Sequence, residues 1–128
     1  MTTRTPARKA VDLPQAFAAI TTHWDPYIVG ELNGQYVKCA KLLGEFIWHR
    51  HEAEDELFLV HRGVLEMRLR TGVVTIRAGQ FFIVPRGVEH QPHAPEETEV
   101  VLFEPVATLN TGNVRNGRTK ETLKRIPT

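Results

Sequence analysis

Apolar and polar residues alternate with a two-residue period over most of the chain, the pattern of strands with one face buried and one wet. Residues 64–70 place Leu65, Met67 and Leu69 in one phase and Glu66, Arg68 and Arg70 in the other. Residues 35–42 set Tyr36, Lys38, Ala40 and Leu42 against Val37, Cys39 and Lys41, and residues 99–104 set Val101 and Phe103 against Val100 and Leu102. Turn signals punctuate these runs at Asn33-Gly34, His61-Arg62-Gly63, Thr71-Gly72, Ala78-Gly79 and Pro85-Arg86-Gly87. Roughly ten short strands with almost no helix predict an all-β antiparallel sandwich or barrel. The one helical period is Leu13, Phe17, Ile20 and Trp24, opened by Asp12 as cap with Pro14 in the first turn and closed by Asp25-Pro26. That short N-terminal helix is expected to cover one face or one open end of the barrel.

Length and composition narrow the class. The 128 residues suit a single domain. Cys39 is the sole cysteine, so no intrachain disulfide forms. With no cationic-then-apolar leader and no apolar run of spanning length, a soluble cytoplasmic protein without a membrane partner is expected. The net charge of +1 hides an asymmetry: residues 1–10 carry Arg4, Arg8 and Lys9 with no acid, and residues 113–128 carry five basic side chains against Glu121. Residues 11–112 are therefore acidic and form the expected domain, between a disordered arm (1–10) and a basic, extended tail (113–128) placed to pack on a neighbouring subunit. No aromatic interleaving or basic stripe accompanies that tail, so no nucleic-acid partner is expected.

The candidate chemistry lies between Gly44 and Gly63. In an extended strand His49 and His51 leave on the same face, with Glu45 and Ile47, while Phe46, Trp48 and Arg50 leave on the other. Glu56 follows four residues later and can add an oxygen; His90, beyond Pro85 and Gly87, can add a third nitrogen. A single buried histidine is more often a hydrogen-bonded core residue, and a His-x-His pair recurs by chance. Four candidate ligands at fixed offsets from Gly44, Gly63, Gly79, Pro85 and Gly87 do not.

These residues resemble the cupin superfamily. Its first motif, a glycine, His-x-His, a glutamate and a further glycine, fits Gly44, His49, His51, Glu56 and Gly63. Its second, a glycine, Pro-x-Gly and a histidine, fits Gly79, Pro85, Gly87 and His90. The likeness covers residues 35–105. Two departures stand: four residues rather than five separate Gly44 from His49, and Ala94 replaces the closing asparagine. The resemblance implies a jelly-roll β-barrel, a homodimer, and metal ligation by His49, His51, Glu56 and His90. It also implies a choice of chemistry: dioxygenases on small organic molecules, or isomerases and epimerases on sugars, including the cupin domains of phosphomannose isomerases.

Three imidazoles and one carboxylate suit borderline divalent ions, leaving Mn, Fe, Ni, Co, Cu and Zn open. One carboxylate against a dication leaves a charge of about +1, which favours an anionic oxygen on the ligand. Two open positions in an octahedral shell would permit Lewis-acid or oxygen chemistry on a small polar molecule. Glu45, Lys41 and His93 are the candidate proton carriers, by position, and Phe58, in phase with Glu56, is the candidate apolar wall. His23 and His61 are expected at the surface. Three functions follow: a metal-dependent oxygenase or isomerase, a non-catalytic metal-dependent binder of small molecules or sugars, or a barrel whose ion only stabilises the fold.

Overall fold

The computed structural model describes residues 9–127; the expected N-terminal arm lies, up to residue 8, outside the described residues. One helix and eight strands follow in order: α1 (Leu13–Ala18), β1 (Tyr27–Leu32), β2 (Gln35–Glu45), β3 (Glu56–Arg62), β4 (Val64–Leu69), β5 (Gly72–Arg77), β6 (Phe81–Val84), β7 (His90–Pro105) and β8 (Lys124–Arg125). The short β runs separated by turns give the expected all-β fold. Asn33 and Gly34 join β1 to β2 with φ of 51° and 75°, the left-handed pair a tight hairpin needs.

β7 is the spine of the sheet. One edge pairs antiparallel with β2 from Gln35↔Pro105 to Glu45↔His93. The other edge is shared: its first residues pair β4, from His90↔Leu69 to His93↔Glu66, and its later ones pair β3, from Glu99↔Arg62 to Phe103↔Leu57. A strand with different neighbours along its two halves must bend the sheet between them. The sheet therefore curls into an antiparallel jelly-roll barrel that does not close.

Two apolar clusters result. The concave face gathers Ala40, Leu42, Phe58, Val60, Leu65, Met67, Ile76, Val100 and Leu102. On the convex face α1 lays Phe17 and Ile20 over Val29, Cys39 and Val101. The helix is capped as expected, Gln15 N donating to Asp12 Oδ1 at 2.9 Å, but it ends at Ala18, well short of Asp25-Pro26. Beyond it the chain joins the sheet: Trp24 N donates to the carbonyl of Lys41 at 2.9 Å, and Trp24 takes φ 57°, outside the helical range. Trp24 thus leaves the helical stripe and packs against the concave cluster.

The residues after Pro105 are not an extended tail. Residues 106–123 run through turns held by Asn110 and Asn116, whose side chains bond the backbone of Arg118 and Lys120. The chain then returns as β8, parallel to β1 at Tyr27↔Lys124 and Ile28↔Arg125. The basic stretch packs on its own barrel; Arg118 Nη1, for one, donates to the carbonyl of Glu45 at 2.8 Å.

Candidate metal centre

The two motif segments face each other as an irregular ladder. His49 N donates to the carbonyl of His90 at 3.0 Å and His90 N to that of His49 at 2.9 Å; Phe46 N reaches Pro92 O and Gly87 N reaches His51 O. The segment before His49 is not the regular strand its alternation predicts. The β2–β7 register slips between Leu42 and Gly44, and Gly44 takes φ 79°, a conformation that favours glycine. The slip reverses the faces: Glu45 is exposed and Phe46 is buried.

His49, His51, Glu56 and His90 are all buried, and one ligand atom from each lies within 4.8 Å of the others. His49 Nδ1 faces the carbonyl of Ile47 at 2.9 Å, and His90 Nδ1 that of Val88 at 3.0 Å. A carbonyl only accepts, so both Nδ1 atoms carry the proton and both Nε2 atoms present lone pairs to the cluster. His51 Nε2 lies 3.1 Å from Glu56 Oε1, and His90 Nε2 lies 3.6 Å from the same oxygen. His90 Nε2 has no hydrogen-bond partner among the described residues although it is fully buried. An orphaned lone pair, two rings oriented by backbone carbonyls and one carboxylate fit a divalent transition ion.

The electrostatics agree. Burial, and then the neighbouring His90, pushes His49 down to about 4, so its ring is neutral near pH 7. Burial works against a charge on His51 as well, but the hydrogen bond and charge of Glu56 outweigh it and hold His51 above its ordinary value. Burial likewise opposes ionisation of Glu56, yet its hydrogen bonds with Glu104 and His51 and the nearby His90 ring keep it well below the carboxylate range. The cluster thus holds an ionised acid beside a neutral His49, and the proton that Glu56 favours on His51 is the one a bound cation would have to displace.

Beside it lies a cavity of ≈ 40 Å³, space for a few water-sized groups. Its apolar wall includes Trp24, Leu42, Phe46, Phe58 and Leu102; its polar positions are His49, Glu56, Glu104 and Asn110. Phe58 stands where its phase with Glu56 puts it, 6.2 Å from the His90 ring centroid. Trp24 stacks on Phe46 at 4.8 Å, and Phe46 meets His49 edge-on at 5.5 Å.

The three positional candidates for a proton carrier do not reach this cavity. Lys41 is in the phase opposite to Ala40 and Leu42, which line it. Glu45, turned out by the slip, pairs with Arg68, whose hydrogen bond and charge hold its carboxyl below its ordinary value. His93 lies in the phase opposite to buried Pro92 and Ala94 and faces Glu66, Nδ1 to Oε2 at 3.3 Å. His23 pairs with Glu97 at 2.8 Å, and His61 with Glu99 at 3.0 Å while stacking on Phe17.

Four site residues were missed in the sequence. Trp24 and Phe46 come from irregular segments that periodicity misplaces. Lys38 and Glu104 had a readable signal: Lys38 is in phase with Ala40 and Leu42, and Glu104 with Val100 and Leu102. Both are buried, with Lys38 Nζ 2.6 Å from Glu104 Oε1. Burial, together with the adjacent charge of Glu56, drives Glu104 well above its ordinary value, and Lys38 opposes this only in part.

A curled antiparallel sheet with a buried His₃Glu cluster at its mouth defines a small β-barrel protein built around a site able to hold a metal. The Cupin_2 cupin domain family matches residues 43–106, half of the chain, and the chain belongs to that family. Among solved structures it resembles a cupin-2 domain containing protein from Shewanella frigidimarina NCIMB 400, with 37% identity, 74% of this chain and 93% of that chain covered, and a TM-score of 0.73. Protein NMB1881 from Neisseria meningitidis is 32% identical over 76% of this chain and 99% of its own, with a TM-score of 0.70. The uncharacterized protein YdbB of Bacillus subtilis (strain 168) is 30% identical over 66 residues, 51% of this chain; the match spans 58% of YdbB itself.

Proposed function

We propose that the chain is a metal-dependent enzyme, an oxygenase or an isomerase or epimerase, that acts on a small polar organic molecule. The observation that carries this reading is the junction of the His49, His51, Glu56 and His90 cluster with a partly open, mostly apolar cavity. An ion of Mn, Fe, Ni, Co, Cu or Zn bound there would supply a Lewis acid or, if iron, a centre for oxygen chemistry. The chain's own residues supply the rest. The carbonyls of Ile47 and Val88 fix the rings of His49 and His90, and Trp24, Phe46 and Phe58 give the cavity its apolar wall.

Elemental analysis of freshly purified protein, followed by anaerobic reconstitution with iron and oxygen uptake on diketones, thiols and phenols, tests the oxygenase. Hydroxy-aldehyde and sugar panels with each metal test the isomerase. Absence of bound metal in wild type, or metal uptake unchanged by His49→Ala and Glu56→Gln, would sink both.

One observation favours a second reading, a non-catalytic metal-dependent binder: Lys41, Glu45 and His93 all lie outside the cavity, so none is placed to move a proton. A ligand whose thermal shift disappears with His49→Ala while no product forms would select it. The assembly we propose is a homodimer. Its support is the edge strand β6, which exposes Phe81 and Ile83 beside Leu57 and Phe103. Phe81→Glu should then yield monomers in light scattering.

A further inference from the structure

We propose that Asn113 is a positioning residue of the metal centre: it clamps the backbone of Arg50, holds the His49 and His51 rings in place on either side, and completes the site from beyond the residues shared with the family. The inference rests on the metal-site reading above and adds to it a residue that is not a ligand.

In an extended segment the backbone groups of successive residues point to opposite edges. His49 exchanges both of its backbone hydrogen bonds with His90, at 3.0 and 2.9 Å, and the carbonyl of His51 accepts from Gly87 N at 2.7 Å. One edge of the His-x-His segment is therefore paired. The N–H and carbonyl of Arg50, the residue between the two rings, point to the other edge, where among the described residues no strand pairs with it. Asn113 stands there instead. Its N donates to Arg50 O and its Oδ1 accepts from Arg50 N, both at 2.9 Å, so one residue makes the two bonds that a partner strand would make. The approach is so close that it needs glycine beside it: a Cβ on Gly112 would stand 2.2 Å from Arg50 O.

The clamp matters most for His51. The carbonyls of Ile47 and Val88 orient the His49 and His90 rings through Nδ1, at 2.9 and 3.0 Å. His51 has no such support, since its buried Nδ1 has no hydrogen-bond partner among the described residues. Its ring is placed by the contact of Nε2 with Glu56 and by its own backbone, which follows directly on Arg50. Slack at Arg50 is thus slack in the relation of the two rings, whose centroids lie 5.1 Å apart. Asn113 removes that slack before any cation binds.

The position of Asn113 in the chain makes this a property of the present protein. The family match ends at residue 106. Asn113 lies past that end and opens the basic stretch that charge alone marks as a tail. A segment outside the shared domain thereby reaches back to the backbone between two ligands.

The test uses the full chain. Cobalt(II) titration followed by visible absorption reads the affinity and the ligand geometry, and amide exchange of the metal-free protein reads the Arg50 N–H directly. Asn113→Ala removes the side-chain acceptor and keeps the backbone bond. It should expose the Arg50 amide to exchange, weaken cobalt binding about tenfold and change the cobalt spectrum, as loss of a group that orients metal ligands does. One exposed hydrogen bond is too little to unfold the chain. Asn113→Asp keeps an oxygen in the same place, adds its charge at an exposed position, and should restore protection, affinity and spectrum. Asn116→Ala is the control: it breaks the contact of Oδ1 with Arg118 N at 2.8 Å in the same segment and should leave cobalt binding as in wild type. Unchanged affinity and spectrum in Asn113→Ala, no recovery in Asn113→Asp, or an equal loss in Asn116→Ala overturns the proposal and leaves Asn113 a fastening of the loop. Failure of wild type to take up cobalt would instead bring down the metal-site reading, and this inference with it.

Discussion

His49 and His90 are held opposite each other by their own backbones, which exchange hydrogen bonds of 3.0 and 2.9 Å and bring the ring centroids to 4.3 Å. The spacing of these two rings is therefore set by main-chain pairing that survives loss of either ring. A pair of rings fixed in this way would lose little freedom on binding a cation.

Ligand deletion should accordingly remove affinity without removing the fold. At a free nickel concentration 100 times its dissociation constant, wild type should gain about 2.7 kcal/mol of stability. His90→Ala should still melt cooperatively but show no nickel-dependent shift. Thermal denaturation with and without metal, read by circular dichroism, checks both statements.

In the metal-free protein His49 should weaken the fold on mild acidification. Its folded value of about 4 lies below the ordinary 6.5, so between those limits the unfolded chain binds the extra proton and folding becomes less favourable as pH falls. The full effect is roughly 3 kcal/mol. Glu56, held well below its ordinary value, loses its contribution only at lower pH, and the contribution of raised His51 is lost above 6.5. Glu104, held well above its ordinary value, takes up its proton in the folded state over this range and opposes the slope, equally with and without the His49 ring, so the contribution of His49 is read as a difference between proteins. Urea titrations at pH 6.5 and 4.5 should show wild type changing by roughly 3 kcal/mol less favourably than His49→Gln as the pH falls. Equal changes in the two proteins would refute the assignment.

The cluster of His49, His51, Glu56 and His90 was legible because each residue sits at a fixed offset from a turn, and the turns at Gly63, Gly79 and Gly87 take the positive φ that glycine provides. The strands were legible from alternation, and so was Phe58. Legibility stopped where alternation did. The slip at Gly44 exchanged the faces of Glu45 and Phe46, and the bend after Ala18 carried Trp24 into the cavity; neither has a local period to announce it. Lys38 is a different case, since its phase was plain in the sequence. What was missing was a partner to satisfy a buried ammonium, and Glu104 is 66 residues away along the chain.

Gly112 marks how closely the segment after Pro105 approaches the ligand strand. Its φ is 55°, and an added Cβ would collide with the carbonyl of Arg50 and stand 3.2 Å from His49 Cδ2. Asn113 bridges the same residue, its N donating to Arg50 O and its Oδ1 accepting from Arg50 N, both at 2.9 Å. Gly112→Ala should therefore lift this segment and displace His49. We expect a destabilisation of about 1–3 kcal/mol, faster amide exchange over residues 109–114, and weaker metal binding. Unchanged exchange and affinity would show that the contact is soft.

Lys38 and Glu104 separate the worth of a charge from the worth of a pair. Neither side chain can reach water, so removal of one leaves the other charged or forces it to neutralise in an apolar setting. Lys38→Met should cost about 3–5 kcal/mol. Lys38→Met/Glu104→Leu should restore most of that loss, because the surrounding Ala40, Leu42, Phe58 and Leu102 accept an apolar replacement. Chemical denaturation of wild type, the two single variants and the double variant closes the cycle and yields the coupling directly. A double variant no more stable than the worse single would mean that the barrel depends on the ion pair itself, and the pair would then have a structural role independent of any ligand.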